Sequence, residues 1–421
     1  MEAPRSVPEP VMFRRTSFDA FHPQPGQNGD LGEAPSFLLT SDDGTLVAEG
    51  VHEVIASSDV ETLPEVLHQH FATKHGKAAE TMVVGVLPFM RDAAPYLFSP
   101  NRVQHLKQTP HLGYTAKPTA HATGRCAIQE EPTREVYEDM VRRALVQMQA
   151  SDALTKIVLS RTLRLHAEHR IDLRMVLRRL AEDPEASAFA VQIPAERSGL
   201  NHATEPVTLV GATPELLLEK TGRQFRSLPL AGSARRSSVP AQDHAAAEGL
   251  LRSEKDLREH SAVVDTMLER LAPFARNIQI DPEPILVSTA TMWHLGTRLT
   301  GEVRTEAVSS VDLAVALHPT AAVCGNPREQ AAAAIQELEP FGRGFFTGAV
   351  GWCNAAGDGR WMVTIRCAEI AGRDACLYAG AGIVAGSDPA AEAAETAAKF
   401  QTMLRALGID EKGRIRDEAA A

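Results

Sequence analysis

Apolar residues follow two rhythms along this chain. In the first third they gather in short runs: "SFLLTS" from Ser36, "TLVAEG" from Thr45 and "TMVVGVLPF" from Thr81. Runs of this length, aliphatic and bounded by turn-forming residues, predict strands. From about Thr133 to Ala150 the rhythm changes. Val136, Met140, Val141, Leu145 and Met148 keep helical spacing, and a helix is predicted there. "KIVLSRTLRL" from Lys156 returns to a strand.

The second half is denser. "VTLVGATPELLLEKTGRQFRSLPLAG" from Val207 predicts strands joined by a turn at Thr221-Gly222. "SEKDLREHSAVVDTMLERLAPFA" predicts a helix, with Ser253 as N-cap and Asp256 placed for a capping-box-like start. "TGAVGWCNAAGDGRWMVTIRCAEI" from Thr347 predicts two strands around a "GDG" turn, with Arg366 inside the second. "LYAGAGIVAGSDPAAEAAETAAKF" from Leu377 predicts a strand, a glycine turn and a helix with Asp388 as N-cap and Pro389 at its first position.

Strand pairs joined by tight turns predict antiparallel sheets. The regular strand–helix alternation of a parallel fold is missing. The fold class expected is therefore α/β of the α+β kind, one large unit with mainly antiparallel sheets flanked by helices. Residues 1–34, rich in Pro, Gly and polar residues, are expected to form an irregular arm. Residues 35–410 form the catalytic unit and 411–421 a flexible tail. There is no internal repeat.

Composition narrows the function. The formal net charge is −11. A diffuse acidic balance argues against a nucleic-acid partner, though a local pocket can still oppose the global sign. No run of about 18 apolar residues suggests a membrane span, and the N-terminus lacks the pattern of a secretory signal. The five cysteines are scattered with no CxxC pair. Reduced thiols in a cytoplasmic protein are the expectation, not disulfides or a zinc site.

The charged residues in apolar settings carry the chemistry. Gly380 and Gly382 in "GAG" have only part of a dinucleotide-binding spacing, and no acidic residue follows at the required distance. Glycines there still allow backbone N–H groups to approach an anion. Glu392, Glu395 and Lys399 share one helical face, as do Asp256 and Glu259 on the earlier helix. Two acidic pairs on two helices suit one hard divalent cation; two unrelated solvated faces give the same spacing. Lys156 heads an apolar strand, Glu215 follows a proline in a buried-looking run, and Arg366 sits among apolar residues. Charges so placed need partners or a polar cavity. Cations, a carboxyl group and a possible metal together suit a small dicarboxylate.

"LVGATPELLLEK", "LPLAGSARR", "SEKDLREH", "ELEPFGRGFFTGAVGWC", "WMVTIRCA" and "AGAGIVAGSDPAAEAAET" resemble the motifs of chorismate-utilising enzymes. The similarity is strongest to the isochorismate synthases that feed catecholate siderophores, and it runs from about Thr133 to Leu407. The resemblance implies a Mg²⁺-dependent conversion of chorismate to isochorismate, in which water adds at ring C2 and the C4 hydroxyl leaves. It implies Lys156 as the general base and Glu215 as the general acid. It implies Glu259 and Glu395 as direct Mg²⁺ ligands and Asp256 and Glu392 as ligands through water. Arg366, with the N–H groups around Gly380 and Gly382, matches the clamp on the enolpyruvyl carboxylate. Lys399, His294 and Gly232 match other pocket positions.

Two positions bear on the reaction. Ala231 stands where aminodeoxychorismate synthases carry a nucleophilic lysine. Lys156 stands where anthranilate synthases typically have no lysine, which favours water as nucleophile. Salicylate synthase, which goes on to eliminate pyruvate, is the alternative, and anthranilate synthase component I is further off. A monomer without a glutamine amidotransferase subunit is expected.

Overall fold

The computed structural model describes residues 35–74, 81–107, 123–150 and 153–416. The arm expected over 1–34 lies outside them. Every strand pairing among the described residues is antiparallel, as the tight turns predict. Starting from one edge, Cys126–Glu131 pairs with Lys156–Ala167, which pairs with Asp374–Val384, then Cys367–Ala371, Val207–Thr213, Ser187–Ile193 and Phe37–Ser41. The ladder continues through Gly44–Val54, Tyr96–Leu106, Met82–Leu87, Ala349–Asn354, Gly359–Val363 and Leu216–Thr221 to Gln224–Leu228, Leu299–Val303 and Ala275–Ile280. A separate small sheet joins Leu230–Arg235, Met292–Gly296 and Ile285–Ser288.

Core composition shows how this long ladder folds on itself. One apolar cluster draws Phe37, Leu39, Phe189 and Leu209 from one half and Phe98, Leu216, Val350 and Met362 from the other, with no α-helical residue in it. It fills the space between two sheet layers. On the outer faces lie helices: Leu63–Ala72, Glu254–Leu271 and Ser310–Leu317 over one half, Leu173–Leu180 and Pro389–Leu407 over the other. Strands covered on both faces have no solvent side to mark with polar residues. Val207–Thr213 and Met82–Leu87 are buried at every position. That is why such strands read as unbroken apolar runs and not as alternation.

The predicted helix ends largely hold. Ser253 Oγ accepts the Asp256 N–H at 3.3 Å, but the reciprocal bond that completes a capping box is formed at Ser309–Asp312 instead. Asp388 caps Pro389–Leu407 by accepting from Ala391 N–H, and Gly408, at φ 76°, ends it in the left-handed region.

Three expectations are corrected. Gly380 and Gly382 lie inside the Asp374–Val384 strand, opposite Ser160 and Val158; the turn comes later, with Gly386 at φ 88°. Arg366 is not inside a strand. It stands between Gly359–Val363 and Cys367–Ala371 at φ 52°, a break that turns its side chain out of the ladder. Residues 411–416 are tied down, because Ile415 bridges to Ile409, Gly413 O accepts from Cys126 N–H and Arg416 reaches Gln401. No helix among the described residues is long and apolar enough to cross a membrane.

Candidate active site

The two sheet layers, the small sheet and two helices line a cavity. Glu215, Arg366, His294, Lys399, Glu259 and Glu395 all line it, together with Gly232, Gly380 and Gly382. Residues far apart in sequence thus meet as their spacing and setting suggested. Lys156, Asp256 and Glu392 are outside this lining but adjoin it: Lys156 pairs with Glu259, Asp256 stands against Gly232, and Glu392 shares the helix of Glu395.

Lys156 is the first residue of its strand and is 1% exposed. Its Nζ lies 2.9 Å from Glu259 Oε1 as an ion pair, without the alignment of a hydrogen bond. Gly382 makes the approach possible: a Cβ there would stand 2.3 Å from Glu259 Oε1 and 3.1 Å from Lys156 Cε. Gly380 serves differently. Its carbonyl accepts from Lys399 Nζ at 2.9 Å, not from the neighbouring strand. A residue's N–H and C=O leave a strand on the same side, so the Gly380 N–H also points away from that neighbour. The Cys367–Ala371 strand covers this edge only as far as Leu377. The glycines therefore lie on an open strand edge, with the Gly380 N–H facing away from the neighbouring strand, in place of the predicted turn.

Glu215 is 2% exposed at the Pro214 corner between two strands. Burial pushes its carboxyl up to about 7, against the Leu230 backbone bond and the Lys156, Arg366 and Lys399 cations, which pull it down. It can hold a proton near neutrality.

Arg366 Nη2 donates to His294 Nε2 at 3.2 Å. A guanidinium has only donors, so His294 Nε2 must accept and the imidazole is neutral. Burial, then the Arg366 and Lys399 cations, push His294 well below its ordinary value, and its other contact is a backbone bond with Gly232. Burial lowers Arg366 to about 10, which leaves it charged. Its Nε is buried with no hydrogen-bond partner among the described residues. A charged donor left over in a dry cavity is a place for an anion.

The four called acidic residues do not form one ready-made cluster. Among the described residues no group of three His, Cys, Asp or Glu is placed to hold a metal ion. Each of three carboxylates is taken up by a lysine: Glu259 by Lys156, Glu395 by Lys399 at 2.6 Å and Glu392 by Lys255 at 2.8 Å. Like charges gathered in a dry site repel, and these ammonium groups relieve that cost. The convergence of the two helices is nonetheless present. Asp256 is raised by burial and then by the Glu259 and Glu395 charges. Burial pushes Glu395 up, but Lys399 and the Ser233 hydroxyl outweigh it and hold its carboxyl below the usual range. Carboxylate oxygens from two helices facing one cavity suit a hard cation such as Mg²⁺, which typically takes one or two carboxylates and keeps sites for water and substrate oxygens.

Several contributors escaped the sequence reading. Ser233 donates to Glu395 Oε1 at 2.9 Å from within the quoted "LAGSARR". Arg343, buried, bonds Glu339, the Val158 and Val323 carbonyls and Thr347 Oγ1, so it ties together three segments of the cavity wall. Glu339 and Arg343 are four apart in "ELEPFGRG", a charged pair in apolar company, and that was the available signal. Gly232, at φ 78°, lets Asp256 come close; a Cβ there would stand 3.0 Å from the Asp256 Cβ.

Comparison with known proteins identifies the family. A family model described as chorismate binding enzyme matches residues 78–408. Isochorismate synthase DhbC of Bacillus subtilis is 41% identical over 388 residues, covering 89% of this chain and 94% of its own length. Isochorismate synthase EntC of Escherichia coli is 38% identical over 333 residues, covering 78% and 81%. The crystal structure of DhbC from Bacillus anthracis superposes with a TM-score of 0.81 at 40% identity, over 89% of this chain and 97% of that one. Anthranilate synthase component I of Streptococcus pneumoniae shares the fold, with a TM-score of 0.61 at 19% identity, over 92% and 95%.

Proposed function

The chain belongs to the chorismate-binding enzymes, and from that membership we propose what each side chain of the cavity does. The reaction is isochorismate synthesis: the hydroxyl of water is added at C2 of chorismate, the ring double bonds shift, and the C4 hydroxyl departs as water. Lys156 first gives up to solvent the proton that pairs it with Glu259, and its neutral amine then takes the proton of the attacking water. Glu215 gives its proton to the departing C4 oxygen, which requires the protonated carboxyl that burial favours. The two proton transfers balance, so the net change is an isomerisation.

Substrate carboxylates are met by cations. Arg366, with its spare Nε donor, receives the enolpyruvyl carboxylate beside the Gly380 edge. His294, neutral and bonded to Arg366, fixes the guanidinium plane. Glu259 and Glu395 would hold Mg²⁺, with Asp256 and Glu392 reaching it through water. When bound, the cation supplies positive charge against the ring carboxylate. Lys399 leaves Glu395 to lie near a substrate carboxylate. The observation that carries all this is a single cavity lined at once by Glu215, Arg366, Glu259, Glu395 and Lys399.

The product suits 2,3-dihydroxybenzoate and catecholate siderophore synthesis, in keeping with the similarity to DhbC. We assign a cytoplasmic monomer that works without an amidotransferase subunit. The test is to incubate the chain with chorismate and Mg²⁺ in ¹⁸O-labelled water and identify the products. Isochorismate carrying label at C2, without pyruvate, is expected. Salicylate with pyruvate would move the chain to the salicylate synthases. In the same assay Lys156→Ala should lose about 10²–10⁴-fold in turnover; full activity would remove Lys156 as base.

A further inference from the structure

Behind the wall that carries Arg366 lies a carboxyl group the proposed reaction does not use. Glu369, on the Cys367–Ala371 strand, is fully buried. Its Oε2 accepts from the Tyr378 hydroxyl at 3.0 Å and from the Gly199 N–H at 2.5 Å. Its Oε1 is buried with no hydrogen-bond partner among the described residues. Burial pushes this carboxyl up to about 7, against the Gly199 and Tyr378 bonds and the Arg164 guanidinium. A buried carboxyl with one oxygen left over costs stability that an apolar side chain of similar size would not. Packing alone gives no reason to keep it.

What Glu369 secures is Tyr378. That ring lines the cavity from two residues before Gly380, on the same face of the strand. It stacks on Phe346 with centroids 5.0 Å apart and planes 17° from parallel, and Phe346 lines the cavity as well. Ile365, next to Arg366, packs against the same cluster. Gly199 is shaped to the arrangement, since a Cβ there would stand 2.5 Å from the Tyr378 hydroxyl. The Gly199 and Glu369 segments thus converge on the Tyr378 hydroxyl, and that hydroxyl fixes an aromatic wall beside the guanidinium.

We propose that Glu369 is a positioning residue that acts through Tyr378. It holds the Tyr378–Phe346 stack as the apolar wall on which the uncharged part of the enolpyruvyl group packs, next to the carboxylate received by Arg366. The inference rests on the cavity being the chorismate site. Lys156 and Glu215 make no contact with Glu369, so a loosened wall weakens substrate binding and leaves the chemical step in place.

Steady-state kinetics on chorismate test this with Tyr378→Phe, Glu369→Leu, their double variant and Glu369→Gln. Loss of one buried hydrogen bond should raise KM about five- to ten-fold with kcat within about two-fold in each of the first two. The double variant should be no worse than the poorer single one, because both cut the same link. Glu369→Gln keeps an acceptor oxygen for both donors and should bring KM back to within about two-fold of wild type. If Glu369→Leu does not fold, Tyr378→Phe against Glu369→Gln still decides. An unmoved KM, a fall in kcat at constant KM, or additive effects would overturn the positioning role. An active wild type with such variants sinks this inference alone, whereas a wild type that leaves chorismate unchanged sinks the parent reading and this one with it.

Discussion

Glu215 is the residue whose environment makes the most definite demand. As an acid it works only while protonated, and its carboxyl is held at about 7. Turnover should therefore fall as pH rises above 7, by about ten-fold per unit once Glu215 is ionised. Glu215→Gln should lose about 10²–10⁴-fold at its best pH, and its residual rate should no longer fall through this window. The same shift bears on stability. A carboxyl raised in the fold contributes stability that is fully present below its unfolded value of 4.5 and lost as pH rises through 7. Relative to wild type, the Tm of Glu215→Gln should rise between pH 5 and 8, and a constant difference would contradict the raised value. That Glu215 is buried was legible, because it follows a proline within an apolar run. The Ser233 bond and the Arg343 knot were not, because a single sequence shows which residues are odd in their setting but not which carbonyls they will meet.

At the scale of elements, two helices matter most. Glu254–Leu271 and Pro389–Leu407 each present acidic residues at helical spacing, and their start signals were readable from Ser253 and Asp388. Periodicity identifies the face a residue occupies, yet it does not say that the two faces will meet. Nor did it reveal that Glu259 and Glu392 are each matched by a lysine, since Lys156 and Lys255 lie far from them in the sequence or on the other helix. The glycines were misplaced for a related reason. Glycine in a strand interior marks close approach as readily as it marks a turn, and here Gly382 admits Glu259. The metal assignment makes a prediction at this scale. Glu395→Ala should lose the Mg²⁺ dependence of chorismate binding, read by calorimetry with and without EDTA. A variant whose affinity for chorismate is still raised by Mg²⁺ and lowered by EDTA as in wild type would remove Glu395 as a ligand.

At the scale of the whole molecule, the antiparallel character was visible in the short runs and tight turns, but the layering was not. A strand buried on both faces carries no pattern to say which face meets the other sheet and which meets a helix. The order in which Lys156–Ala167 comes to lie beside Asp374–Val384 is a matter of long-range pairing, and it places Lys156, the proposed base, against the glycine edge. Both neighbours had to be found before the site could exist. The central claim is that this topology brings Glu259 and Glu395 to one cation beside the cavity that holds chorismate. The most direct measurement is a crystal structure with chorismate and Mn²⁺ in place of Mg²⁺, read by anomalous scattering. The account predicts one strong peak in contact with Glu259 and Glu395, with a ligand carboxylate on Arg366. Manganese bound elsewhere, or a ligand seated away from Arg366, would contradict it.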